Sequence, residues 1–136
     1  SPLPKWAGLV GFAMMTGHVI ISLAILDPAY FPKFYSGEQM NFSAEFNLLA
    51  GVFGLFAFAI PAINSISVIR LSLPPETWRR GQQMGYAGLL LTAVHTTVMG
   101  YSGWFDISGW PGFLPPITLL STIIALIPLV LKSLNK

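Results

Sequence analysis

The chain has no cysteine, and only twelve of its 136 residues are charged at neutral pH, seven Lys or Arg and five Asp or Glu. Without cysteine there is no disulfide framework, no thiolate-bound zinc and no iron–sulfur ligation from this chain. A charged fraction of 9% against 54% hydrophobic residues cannot cover the surface of a soluble fold, for which about 25% is usual. So apolar a composition also excludes a disordered chain. The solvent these numbers fit is lipid. The net charge of +2 arises from charges clustered in loops and ends, so it does not point to nucleic acid.

The length fits one domain. Four stretches are long enough and free enough of charge to cross about 30 Å of hydrocarbon. They predict helices over about 6–27, 45–69, 81–104 and 113–132, within one four-span domain covering 1–136. Strict alternation is missing, and in lipid each backbone donor must be satisfied within its own segment, so helices are expected rather than strands. The fold class is therefore all-α, an integral-membrane four-helix up-down bundle. Pro115 and Pro116 suit the first turn of the last helix, while Pro61 and Pro128 should bend the second and fourth. The first stretch lacks a charged leading region, so it is not read as a signal peptide; Ser1 in place of an initiator Met suggests processing or a longer parent.

Lys5, Arg70, Arg79, Arg80, Lys132 and Lys136 fall on one side of a four-span arrangement, opposed only by Glu76. The other side carries Lys33 with Asp27, Glu38, Glu45 and Asp106. The excess of positive charge places both termini and the 70–81 loop on the cytoplasmic side. Tyr30, Phe31, Phe34 and Tyr35 in the outer loop predict an interfacial aromatic belt. Asn41-Phe42-Ser43 fits the glycosylation pattern, a triplet that chance often supplies. Asp27, Glu38 and Asp106 could form an outer metal-ion site, although scattered loop acids ordinarily only solvate a surface.

The chain's two histidines, His18 and His95, both lie deep inside expected spans, where an ionisable group marks a functional site by default. His18 lies 12 residues beyond Trp6 and His95 lies 13 beyond Gln82. At 1.5 Å per residue, both sit roughly 18–20 Å from the inner end. Their helices run the same way and stand diagonally in the bundle, roughly 12–14 Å apart. Two imidazoles cannot touch across that gap, but both can reach a metal between them, the bis-histidine arrangement of a b-type haem. Gly11 and Gly88 each precede a histidine by seven residues on the same helix face, leaving room for a flat ring. Membrane-helix glycines also serve close helix packing, and for the glycines taken alone packing is the favoured reading.

Several pieces, AGLVGFAMMTGHVIISLAI, FAIPAINSIS, TWRR, GLLLTAVHTTVMGYSGW and FLPPITLL, resemble in order and spacing the last four helices of the STEAP metalloreductases, in the ferric-reductase-like transmembrane superfamily. The Trp78-to-His95 spacing is similar also to the haem-binding membrane subunit of methionine sulfoxide reductase. The resemblance implies one haem b ligated by His18 and His95. It also implies a flavin (FAD) at the inner face, near Trp78, Arg79, Arg80 and Gln82, and electron flow towards an external ferric or cupric ion. Arg79 and Arg80 could instead only anchor the helix at lipid headgroups. The chain departs from the family in lacking the NADPH-binding domain and any GxGxxG or P-loop.

The expected function is thus a membrane b-type cytochrome moving electrons towards an outer-side acceptor, a metal ion or a quinone. A protein partner, a larger membrane complex, a quinone or a loosely bound flavin would supply them. The other expectation is an accessory subunit of a larger, photosynthetic complex, whose histidines ligate pigments singly or only pack. The corresponding locations are a plasma or inner membrane and a thylakoid-type energy-transducing membrane. No internal repeat or buried charge favours a channel or transporter, and no acid lies inside a span beyond its end residue to suggest hydrolysis.

Overall fold

A computed structural model describes residues 3–134. Most of the chain is helical, in five α-helices: α1 (Leu3–Ala24), α2 (Phe42–Asn64), α3 (Ser67–Ser72), α4 (Pro75–Trp104) and α5 (Ile117–Leu134). A small hairpin, β1 (Tyr35–Ser36) and β2 (Gln39–Met40), turns through Gly37 at φ +68° between α1 and α2. Three segments are long and apolar enough to cross a membrane: Lys5–Ala24, Phe42–Asn64 and Pro111–Leu134. The remaining long helix, α4, falls short by composition. Its Thr92, His95, Thr96 and Thr97 dilute its hydropathy, as suits the helix that packs most extensively, against α2 on one side and α5 on the other.

Side-chain contacts set the helix directions. Gln82 Nε2 donates to the Pro61 carbonyl at 3.2 Å near one end of α4, and His95 meets Asn47 further along, so α4 is antiparallel to α2. Lys5 Nζ donates to Ser67 Oγ at 2.7 Å, bringing the start of α1 to the far end of α2. Against α5, Trp104 Nε1 donates to Thr118 Oγ1 at 3.0 Å, Thr96 and Thr122 share a hydroxyl–hydroxyl bond of 2.6 Å, and Lys132 lies over the Tyr86 ring. Small residues admit this approach: a Cβ on Gly100 would run into Thr118. The same contacts gather Lys5, Arg70, Tyr86 and Lys132 at one end of the molecule. Lys136 lies outside the described residues.

The first helix lies three residues earlier than expected at both ends and α2 starts three residues early, and the expected boundaries shift most at three other places. The second stretch breaks at Ile66, whose backbone is extended, and restarts as α3. Helix α4 begins six residues before Gly81, because Pro75 takes a first-turn position, where a missing N–H costs nothing. Pro115 and Pro116 precede α5 rather than enter it, and the Pro116 carbonyl receives the N–H of Leu120. Pro61 and Pro128 both lie inside continuous helices. Asn41 serves as the N-cap of α2. Its Oδ1 accepts from Ala44 N at 3.0 Å while Nδ2 donates to the Lys33 carbonyl. The nitrogen a glycan would need is therefore already engaged.

Candidate functional site: a cleft bordered by both histidines

Because α1 packs principally on α2, while α4 lies on the other flank of α2, an elongated cleft opens between α1 and α4. It has two compartments that meet at Met15. The outer compartment, about 240 Å³, is bordered by both His18 and His95, with Ser22, Asn47, Thr92 and Met99 among its walls. The inner one, about 460 Å³, is lined by Lys5, Gly11, Met15, Phe58, Pro61 and Gln82 among others. The inner compartment falls within the size range of small-molecule and cofactor sites, about 300–1,000 Å³, and the outer one falls a little below it.

The loop expected to form an aromatic belt divides its labour. Tyr30 is exposed, whereas Phe31 and Phe34 stack at 5.9 Å and border the outer compartment, with Phe34 buried. Lys33 Nζ ties this loop to α4 through the Met99 carbonyl at 2.7 Å, and Tyr35 Oη donates to the Leu26 carbonyl. The outer end of the cleft is thereby capped by apolar rings instead of open loop.

His95 is held in a defined way. Its Nδ1 lies 3.0 Å from the main-chain carbonyl of Asn47. A carbonyl only accepts, so the proton sits on Nδ1 and the lone pair on Nε2. The ring can come this close to α2 because residue 51 is glycine: a Cβ there would stand 2.9 Å from Nδ1 and 3.0 Å from Cε1. Asn47 is itself 3% exposed. Its Nδ2 reaches Met99 Sδ at 3.5 Å, and its Oδ1 is buried without a hydrogen-bond partner. His18, on α1, is exposed along the cleft and makes no side-chain hydrogen bond among the described residues.

The other expected site residues divide. Gly11 borders the inner compartment with open space above its Cα. Gly88 borders neither compartment. The Phe58 ring lies against it, 2.8 Å from where a Cβ would be, so this glycine serves helix packing and leaves no room for a ring edge. Of the four residues expected near a flavin, only Gln82 lines the cleft, and its amide is engaged by Pro61 and Ser65. The Trp78 ring lies beneath the Arg70 guanidinium at 5.3 Å, with its indole N–H buried and unpartnered. Arg79 and Arg80 both pair with Glu76, at 2.7 and 3.1 Å, on the exposed first turns of α4. That arrangement favours anchoring over a cleft-directed role. Pairs this exposed contribute little, so Glu76→Gln should lower stability by no more than about 1 kcal/mol, checked by thermal unfolding in detergent.

The scattered outer acids do not converge. Asp106 Oδ1 accepts from the Gly109 amide and the Ser108 hydroxyl, Asp27 Oδ1 accepts from the Ala29 amide, and no cluster of three His, Cys, Asp or Glu side chains occurs among the described residues.

Asn47 and Gly51 are not singled out by sequence reasoning. The available signal is a lone amide near the start of an apolar run with a glycine one turn later, the pair that brackets His95 once α2 and α4 are in register. Comparison of the chain with known family models, curated proteins and solved structures finds no match.

Proposed function

We propose that the chain is a b-type membrane cytochrome, with one haem held between His18 of α1 and His95 of α4. Four helices cross the bilayer as an up-down bundle, with the Lys- and Arg-rich end and both termini on the cytoplasmic side. Electrons come from a partner protein or a larger membrane complex and leave towards an acceptor on the outer side, for which the STEAP resemblance suggests a ferric or cupric ion and the membrane setting a quinone. The observation that carries this reading is that the chain's two histidines, 77 residues apart, border one and the same cleft.

The donor set suits the group. His95 keeps its proton on Nδ1 and so offers Nε2, the neutral imidazole donor that iron takes. When bound, the haem would supply one-electron exchange, at a potential tuned by its protein ligands, burial and nearby dipoles. The chain's own residues do the rest. Asn47 and Gly51 orient one imidazole, and Thr92 and Thr96 set dipoles along the wall. Phe31 and Phe34 limit water at the outer end. Two rings bordering a single cleft favour one shared group over two separately ligated pigments.

The test is a reduced-minus-oxidised visible spectrum of the detergent-purified chain, with haem quantified per polypeptide. The expected result is the sharp α-band of low-spin haem b at about one haem per chain. A chain without haem, or a spectrum dominated by chlorophyll, would overturn this reading in favour of an accessory subunit.

A further inference from the structure

We propose that the two histidines are unequal ligands. His95 is the fixed one, locked by Asn47 and Gly51 of α2, and His18 is the exchangeable one, which a small neutral donor such as imidazole could replace. This rests on the haem reading and deepens it.

Three observations separate the two rings. The first is the partner of the second nitrogen. His95 Nδ1 donates to the Asn47 carbonyl at 3.0 Å, a contact that fixes both the tautomer and the ring plane. His18 has no such contact among the described residues. The second is the fit of the ring. The Gly51 backbone lies so near the His95 imidazole that even a methyl group would not fit between them, while His18 lies exposed on the cleft wall.

The third is the helix behind each ring. His95 rides on α4, packed extensively on both α2 and α5. His18 rides on α1, which rests mainly on α2, and Gly8, Gly11 and Gly17 along it have nothing within 4 Å of the space a side chain would take. Few packed contacts mean a low free energy for local displacement, so α1 can draw His18 aside while α4 keeps His95 in place. With haem bound, the exchange would be one lone pair for another: the incoming donor's lone pair would replace that of the His18 nitrogen, and no electron or proton would be transferred.

Haem content and the visible spectrum of the purified, haem-loaded chain test this. His18→Ala should retain most of its haem in a high-spin, five-coordinate form, and millimolar imidazole should return it to low spin. His95→Ala should lose haem by about tenfold or more, with no recovery at the same imidazole concentration. Gly51→Ala, which displaces the His95 ring, should weaken haem retention by about tenfold, while Gly54→Ala, whose added methyl meets only ordinary contacts from 3.6 Å outward, should not.

Independently of haem, 15N NMR of the haem-free chain should show the Nδ1-protonated tautomer for His95 in the unmodified chain and a tautomer mixture in Gly51→Ala. Equal haem loss and equal imidazole rescue in the two histidine variants would overturn the proposal. So would an unchanged His95 tautomer in Gly51→Ala. If His18→Ala fails to fold, judged by circular dichroism and gel filtration, the Gly51 and Gly54 pair decides. An unmodified chain that holds no haem defeats the haem reading itself, and a loaded chain with symmetrical histidines defeats only this inference.

Discussion

Gly100→Leu is expected to destabilise the helical assembly by about 1–3 kcal/mol, the usual cost of forcing extra carbon into a close-packed contact. A Cβ at position 100 would run into the Oγ1 and Cβ of Thr118 on α5. Thr118 has little freedom to give way. Its hydroxyl accepts the Trp104 indole N–H at 3.0 Å, and its carbonyl accepts from the Thr122 hydroxyl at 2.9 Å. Thr122 in turn bonds Thr96 at 2.6 Å, so a push at Gly100 strains a ladder of polar contacts running along α4 and α5. Lipid supplies no hydrophobic force to hold the two helices together despite the strain, because tails solvate leucine as well as protein does. Gly103→Leu, three residues on, enters open space and should change little. Thermal unfolding in detergent separates the two, and equal midpoints would contradict close α4–α5 packing at Gly100.

Apolar runs mark where a chain can meet lipid, and that part of the fold is legible in the residues alone. They mark helix ends poorly. Residues 66–69 belong to an uncharged run, yet the extended backbone of Ile66 ends α2 and starts a separate helix. Glu76, Arg79 and Arg80 lie outside any apolar run, yet are helical, because Pro75 suits a first turn and starts the helix ahead of the apolar residues. The 28–44 loop misleads for a different reason. Its aromatics look alike in sequence, and only the chain path decides that Phe31 and Phe34 turn over the cleft while Tyr30 stays exposed.

For the site, the histidines are legible because they are so few. Equal offsets along two parallel helices are enough to put both on one cleft. What surrounds them depends on the register between helices, which no single segment encodes. Gly88 shares a helix face with His95, yet α2 presents a phenylalanine at the first height and a glycine with the Asn47 carbonyl nearby at the second. The same spacing therefore means tight packing at one level and ring orientation at the other. Arg79 and Arg80 carry the charge expected to meet a flavin, but Glu76, three and four residues before them, lies within reach on the same helix face.

Asn47→Asp should have the larger effect of the two substitutions at that position, a loss of about 3 kcal/mol. That is the order of the cost of leaving a buried polar group without a partner, which is highest for a charged one. The shape hardly changes, so packing is not the cause. The second oxygen cannot donate to Met99 Sδ as the amide nitrogen does, and the existing oxygen is already buried without a donor. A charge added there meets no cation among the cleft walls, whose polar groups are histidines, hydroxyls and thioethers, and the Lys33 ammonium is engaged by the Met99 carbonyl. Asn47→Leu takes the opposite course. It removes an acceptor that has no partner, gives up one weak contact to sulfur, and should cost less than the aspartate. The carbonyl that orients His95 belongs to the main chain and survives both changes. The leucine variant is therefore expected to keep the His95 tautomer and to unfold above the aspartate variant in detergent. If aspartate is tolerated as well as leucine, Asn47 faces water and the outer compartment is not the dry cleft that its burial describes.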